Sequence, residues 1–119
     1  MKFLKISYLL FFCLALEAVI VDTGHANVSL VKFESLERDR SKTLLGIKMD
    51  MQENWHTYWK NPGDSGGPIK VKWSHDDNIS ISELYWPTPT LIPYEPLMTY
   101  GYKNFVIFPF EINNSNDKN

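Results

Sequence analysis

The sequence predicts an all-β domain built as an antiparallel sandwich. Three observations predict it. Apolar and polar residues alternate over short runs, turn signals rich in Pro, Gly, Asn and Asp separate those runs, and no window of ordinary helix length carries a 3.6-residue period.

The first segment stands apart from this pattern. Lys2 and Lys5 precede an apolar stretch from Ile6 to Leu16, and Gly24-His25-Ala26 places small residues where a signal peptidase reads. Residues 1–26 are therefore expected to be a signal peptide cleaved after Ala26. Glu17 interrupts the apolar stretch before Ala18 to Val21 resume it, so an uncleaved anchor is the alternative, short and charge-broken for a full span. Phe11-Phe12-Cys13 lacks the small residues that precede a lipid-modified cysteine.

Residues 27–119 form one small domain, near the lower limit for a self-sufficient core. Val28 to Phe33 reads as an opening strand, with Val28, Leu30 and Lys32 opposite Ser29, Val31 and Phe33. Leu36 to Lys42 is charged and reads as a loop. Thr43 to Met51 alternates cleanly, placing Leu45, Ile47, Met49 and Met51 on one face. Ile69 to Trp73 alternates as well, with Ile69, Val71 and Trp73 inward. Ile79 and Ile81 begin another strand that continues through Leu84, Tyr85 and Trp86. Phe105 to Ile112 is strongly β-prone, and Pro109 within it predicts an edge or a bulge. Asn61-Pro62-Gly63-Asp64, Asp76-Asp77-Asn78 and Lys103-Asn104 supply the turns. From Trp86 to Pro96 the chain is too Pro-rich for a strand and reads as an extended connection between sheets. Residues 27–112 thus hold five or six strands, fewer than a complete sandwich, and the domain is expected to be incomplete at its C-terminal end. The polar residues 113–119 are expected to be a disordered tail.

Charge and cysteine content exclude several functions. With 12 Lys+Arg against 14 Asp+Glu the net charge is −2, without a basic patch, so neither nucleic acid nor an anionic membrane is indicated as a partner. The one cysteine is Cys13, so residues 27–119 contain none. They cannot exchange disulfides or bind zinc through thiolates. His56 and His75 lack the paired spacing of a zinc site, and Asp64-Ser65-Gly66-Gly67 lacks the further oxygen ligands of a calcium loop. No metal and no cofactor is expected. Sequons begin at Asn27, Asn78 and Asn113 but matter only in a glycosylating host.

The densest feature is Trp55-His56-Thr57-Tyr58-Trp59, followed by Asn61-Pro62-Gly63-Asp64-Ser65-Gly66-Gly67-Pro68. Trp55, Tyr58 and Trp59 suit a stacking platform for sugar rings. The plainer reading makes Trp55 or Trp59 a core plug and Tyr58 a strand anchor, with Trp73 and Trp86 as further fillers.

This run resembles the N-terminal periplasmic domain of the DsbD/ScsB-type thiol:disulfide interchange proteins. The similarity rests on four motifs in order: Trp55 to Pro68, the strand ending in Trp73, Trp86-Pro87-Thr88-Pro89, and Tyr100-Gly101-Tyr102 with Val106 to Pro109. The resemblance implies an immunoglobulin-like β-sandwich in the periplasm that passes electrons to partner proteins through a cysteine pair. It makes Trp55, His56, Tyr58 and Trp59 partner-contact candidates. It makes Asn61, Pro62, Gly63, Asp64, Gly66, Pro68, Trp73, Trp86, Pro87, Tyr100, Gly101 and Tyr102 structural motif residues. No cysteine pair follows Val106 to Pro109 here, so the expectation is a truncated or split remnant of that domain, redox-inactive by itself. Its expected partners are periplasmic thiol–disulfide proteins or a complementing chain that carries the missing strands and cysteines. The alternative is a non-enzymatic periplasmic module that binds a protein or sugar through its Trp/Tyr surface.

Overall fold

A computed structural model describes residues 20–34 and 41–115. Most of the expected leader, the Leu36 to Lys42 loop except its last two residues, and residues 116–119 lie outside the described residues. The chain forms β1 (Ile20–Asp22), β2 (Ala26–Lys32), β3 (Lys42–Met51), β4 (His56–Gly63), β5 (Ile79–Ile81), β6 (Thr90–Tyr94), β7 (Leu97–Lys103) and β8 (Phe105–Asn114). A five-stranded sheet runs β1-β2-β3-β8-β5 and a three-stranded sheet runs β4-β7-β6. Every pairing is antiparallel. The all-β sandwich class is as the alternation predicted.

The core follows from that alternation. On β8, Val106, Phe108 and Phe110 are buried, and the two phenylalanines are completely so. Opposite them on β3, Leu45, Ile47 and Met49 pair with Phe110, Phe108 and Val106, so both strands turn the same side inward. The small sheet closes over this face through Tyr102, while Trp59, Ile69, Trp73 and Trp86 pack around the rim.

Several elements differ from the sequence expectation. Pro109 lies in an interior strand rather than at an edge or bulge. Its carbonyl accepts from Tyr85 N–H on the side away from β3. Within a strand the N–H and C=O of one residue point the same way. The donor that Pro109 lacks would therefore face Tyr85, and no bond to β3 is lost. The ladder of β5 stops at Ile81 because, although Ser82 N–H donates to Glu111 C=O, Glu111 N–H returns its bond to the Ser82 hydroxyl and not to the Ser82 carbonyl. Further along, Tyr85 N–H donates to Pro109 C=O and Pro109 has no N–H to return, so the run to Trp86 is not a continuous strand.

The Pro-rich connection is shorter than expected. Residues 82–89 do link the large sheet to the small one, but Thr90–Tyr94 is a strand. β6 is an edge strand, where Pro93 costs no ladder bond, and Glu95–Pro96, with a cis peptide bond, turns it into β7. The turn expected at Asn61 to Asp64 comes later, because β4 continues through Pro62 to Gly63 with a register shift between Tyr58 and Gly63. β4 is also an edge, which tolerates both the proline and the irregularity. Ile69 to Trp73 is not a strand, since among the described residues no neighbouring backbone pairs with it. Asn113 and Asn114, expected in the tail, instead extend β8: Asn113 pairs with Lys42 and Asn114 with Ile79.

Candidate functional site

The aromatic run opens β4, so successive side chains leave on opposite faces. Thr57 stands opposite Tyr102, and Tyr58 stands opposite Gly101. Trp59 joins the core side, packing at the rim and meeting Tyr100 edge-on with ring centroids 6.3 Å apart. His56 and Tyr58 take the other face, where their rings form a T at 5.0 Å. Trp55 precedes the strand, is 47% exposed, and stacks on His25 at 3.7 Å with the ring planes 12° apart. The four partner-contact candidates are therefore distributed over three environments, and they do not form one flat platform. Trp55, with its exposed stack, is the most accessible of them.

The Pro/Gly motif after the run clamps β4 to β7. Asp64 N–H donates to Met98 C=O at 3.0 Å, and Met98 N–H donates to Asp64 Oδ2 at 2.9 Å. Beside this pair, the Ser65 and Thr99 hydroxyls bond at 2.8 Å. Thr99 is only 2% exposed, so Ser65 satisfies a polar group that would otherwise be buried alone. Gly66 has φ +83, and a Cβ there would enter the Tyr58 ring. The ring therefore lies directly on the glycine and closes the loop over the outer face of β7. Gly101 is needed for a related reason: a Cβ on it would collide with Thr57 C=O across the ladder.

The remaining motifs meet in the core. Trp73 packs on Phe110 at 4.8 Å, and Trp86 packs edge-on to Phe108 at 5.1 Å. Tyr102 meets Phe108 at 5.4 Å and donates its hydroxyl to Pro87 C=O at 2.7 Å, which joins the Tyr-Gly-Tyr motif to the Trp-Pro motif. Burial pushes the Tyr102 phenol up to about 12, because the phenolate would lose its hydration. Asn61, Pro62 and Gly63 form the irregular end of β4, and Pro68 leads into the segment that carries Trp73.

Sequence reasoning missed Thr99 and Met98, the partners of the clamp. Their residue types carry no signal of their own; only the pairing of β7 with the 63–66 segment reveals them. His25, the penultimate residue of the expected leader, stacks on Trp55. Among the described residues, no three His, Cys, Asp or Glu side chains gather to hold a metal, and no helix is long and apolar enough to cross a membrane.

Two antiparallel sheets closed over Phe108 and Phe110, with four sequence motifs bonded and packed to one another, define an immunoglobulin-like sandwich module. The chain belongs to the family of DsbD N-terminal domains: the family described as thiol:disulfide interchange protein DsbD, N-terminal, matches residues 27–119. Among solved structures, the chain is similar to the N-terminal periplasmic domain of ScsB from Proteus mirabilis, with 25% identity and a TM-score of 0.61. That alignment covers 81% of this chain and 37% of the ScsB chain, so the chain spans well under half the length of the structure it matches. No curated protein sequence matches it.

Proposed function

We propose that this chain supplies a non-redox, partner-docking sandwich within a periplasmic thiol:disulfide interchange system. The observation that carries this reading is the family match over residues 27–119, a segment without a cysteine. Reducing a disulfide takes two electrons and two protons from a dithiol, and these residues offer none. The motif residues that mark the family are engaged in the β4–β7 clamp and in the core. They act by holding the sandwich, and the exchanging thiols lie outside residues 27–119. Trp55, with His56 and Tyr58 on the outer face at the start of β4, is the surface through which a thiol–disulfide partner docks, and Trp59 supports it from the core side.

Export by residues 1–26 places the domain in the periplasm on this reading. Cleavage after Ala26 would remove β1 and His25, leaving the exposed Trp55 ring free for a partner.

Insulin reduction by dithiothreitol tests the redox half. With a Cys13→Ser form of the chain present, the rate should equal that of dithiothreitol alone. Acceleration by the chain refutes the reading. Docking is tested by adding a thioredoxin-fold protein and following amide chemical shifts. The changes should gather at residues 55–59, and changes elsewhere, or none at saturating concentration, refute that half.

A further inference from the structure

Residues 69–73 cross the rim of the core without bend or turn, and they belong to neither sheet. Ile69 and Trp73 pack against the buried cluster, while Lys70 and Lys72 are exposed. Among the described residues, no hydrogen bond engages any backbone N–H or C=O of this segment. Alongside lies an open groove of about 370 Å³, lined by Ile69, Val71, Trp73, Ile81, Leu84 and Trp86, with Ser82 and Glu83 also in its lining. Val71 is on the inward side of the alternation yet 36% exposed, since no described residue covers it on the groove side.

Each part of this arrangement specifies a feature of its occupant. Unpaired donors and acceptors along an extended segment accept another extended backbone. The apolar side chains of the groove accept alternate apolar side chains from that backbone, and Glu83 in the same lining disfavours acidic residues on the groove side. Lys70 and Lys72 favour acidic residues at the intervening positions, because opposite charges directly across a strand pair attract. Lysines on an exposed edge also reject most strands, including a second copy of the same segment, which would set lysine against lysine.

We propose that residues 69–73 are a strand-addition site for an extended peptide that alternates apolar and acidic residues. The site exists whether or not its occupant carries cysteines, so it stands apart from the redox reading. The probe is a short capped peptide alternating valine and glutamate, added to the 119-residue chain. Binding is read by Trp fluorescence and by hydrogen exchange of the residue 69–73 amides. The expected result is protection of those amides, binding about tenfold weaker when lysine replaces glutamate in the peptide, and loss of binding when alternate peptide nitrogens are methylated. A Lys70→Glu/Lys72→Glu chain should reverse the charge preference. Both lysines are exposed, so this variant keeps the core. Equal binding of the methylated peptide, or no protection of residues 69–73 at saturation, overturns the proposal. Concentration-dependent self-association that protects the same amides overturns it in favour of a second copy.

Discussion

Replacing Gly66 by alanine tests whether the family's Pro/Gly motif is a structural clamp. Two costs follow from the geometry. At φ +83 an alanine pays for its Cβ in the left-handed region, about 1–2 kcal/mol. The new Cβ would also overlap the Tyr58 ring, which must leave the glycine and with it the T-shaped contact to His56. An aromatic pair of this kind contributes about 0.5–1.5 kcal/mol beyond its buried area. The sum is about 1.5–3.5 kcal/mol, which for a domain of this size lowers the Tm by about 6–28 °C. Gly67 is the internal control, since a Cβ there meets nothing within 4 Å; Gly67→Ala should stay within about 0.5 kcal/mol of the parent. Urea unfolding followed by Trp fluorescence measures all three proteins. In a Tyr58→Ala background the ring is gone, so Gly66→Ala should cost only its backbone share, about 1–2 kcal/mol. If Gly66→Ala costs under about 0.5 kcal/mol, or costs the same with and without the Tyr58 ring, the clamp argument is wrong.

Two further outcomes follow from the core. Phe108→Ala empties a completely buried site between Trp86 and Tyr102 and should cost about 3–5 kcal/mol in the same unfolding experiment; a loss under about 1 kcal/mol would mean that the two sheets do not close over it. Tyr102 gives the domain an alkaline limit. Its folded value of about 12 lies above the ordinary 10, so the unfolded chain loses this proton first as pH rises. The contribution is complete below pH 10 and is lost between 10 and 12, about 2–3 kcal/mol in all. Tyr102→Phe should flatten that decline, and an unchanged pH profile in the variant would exclude Tyr102 as its source.

How much of this was legible beforehand varies by element, for a physical reason. β3 turns one face to the core, so its apolar residues recur at every second position and its burial can be read directly; β8 runs Phe105-Val106-Ile107-Phe108 without alternation, and only its strand propensity is legible. The small sheet carries no such record. β7 buries Thr99, Gly101 and Tyr102 on successive sides, because the 63–66 loop covers one face and Phe108 the other. A strand covered on both faces by unlike partners has no period to detect. Pro93 and Pro62 argued against strands, and both lie in edge strands, a status that no local window reveals.

The aromatic-turn run and the three motifs after it identified the lineage from the sequence alone, and the single Cys13 established that residues 27–119 carry no thiol. Alternation likewise determined which face of β3 is buried. Tertiary structure alone decided what the motifs do: Asp64 and Ser65 hold β7, Gly66 seats Tyr58, and Tyr102 bonds Pro87. It also decided that Ile69 to Trp73, as regular in sequence as β3, has no backbone hydrogen-bond partner among the described residues. Side-chain periodicity reports which face of a strand meets apolar surroundings. Whether its edges are paired depends on backbone brought from elsewhere in the chain, and no local pattern of side chains records that.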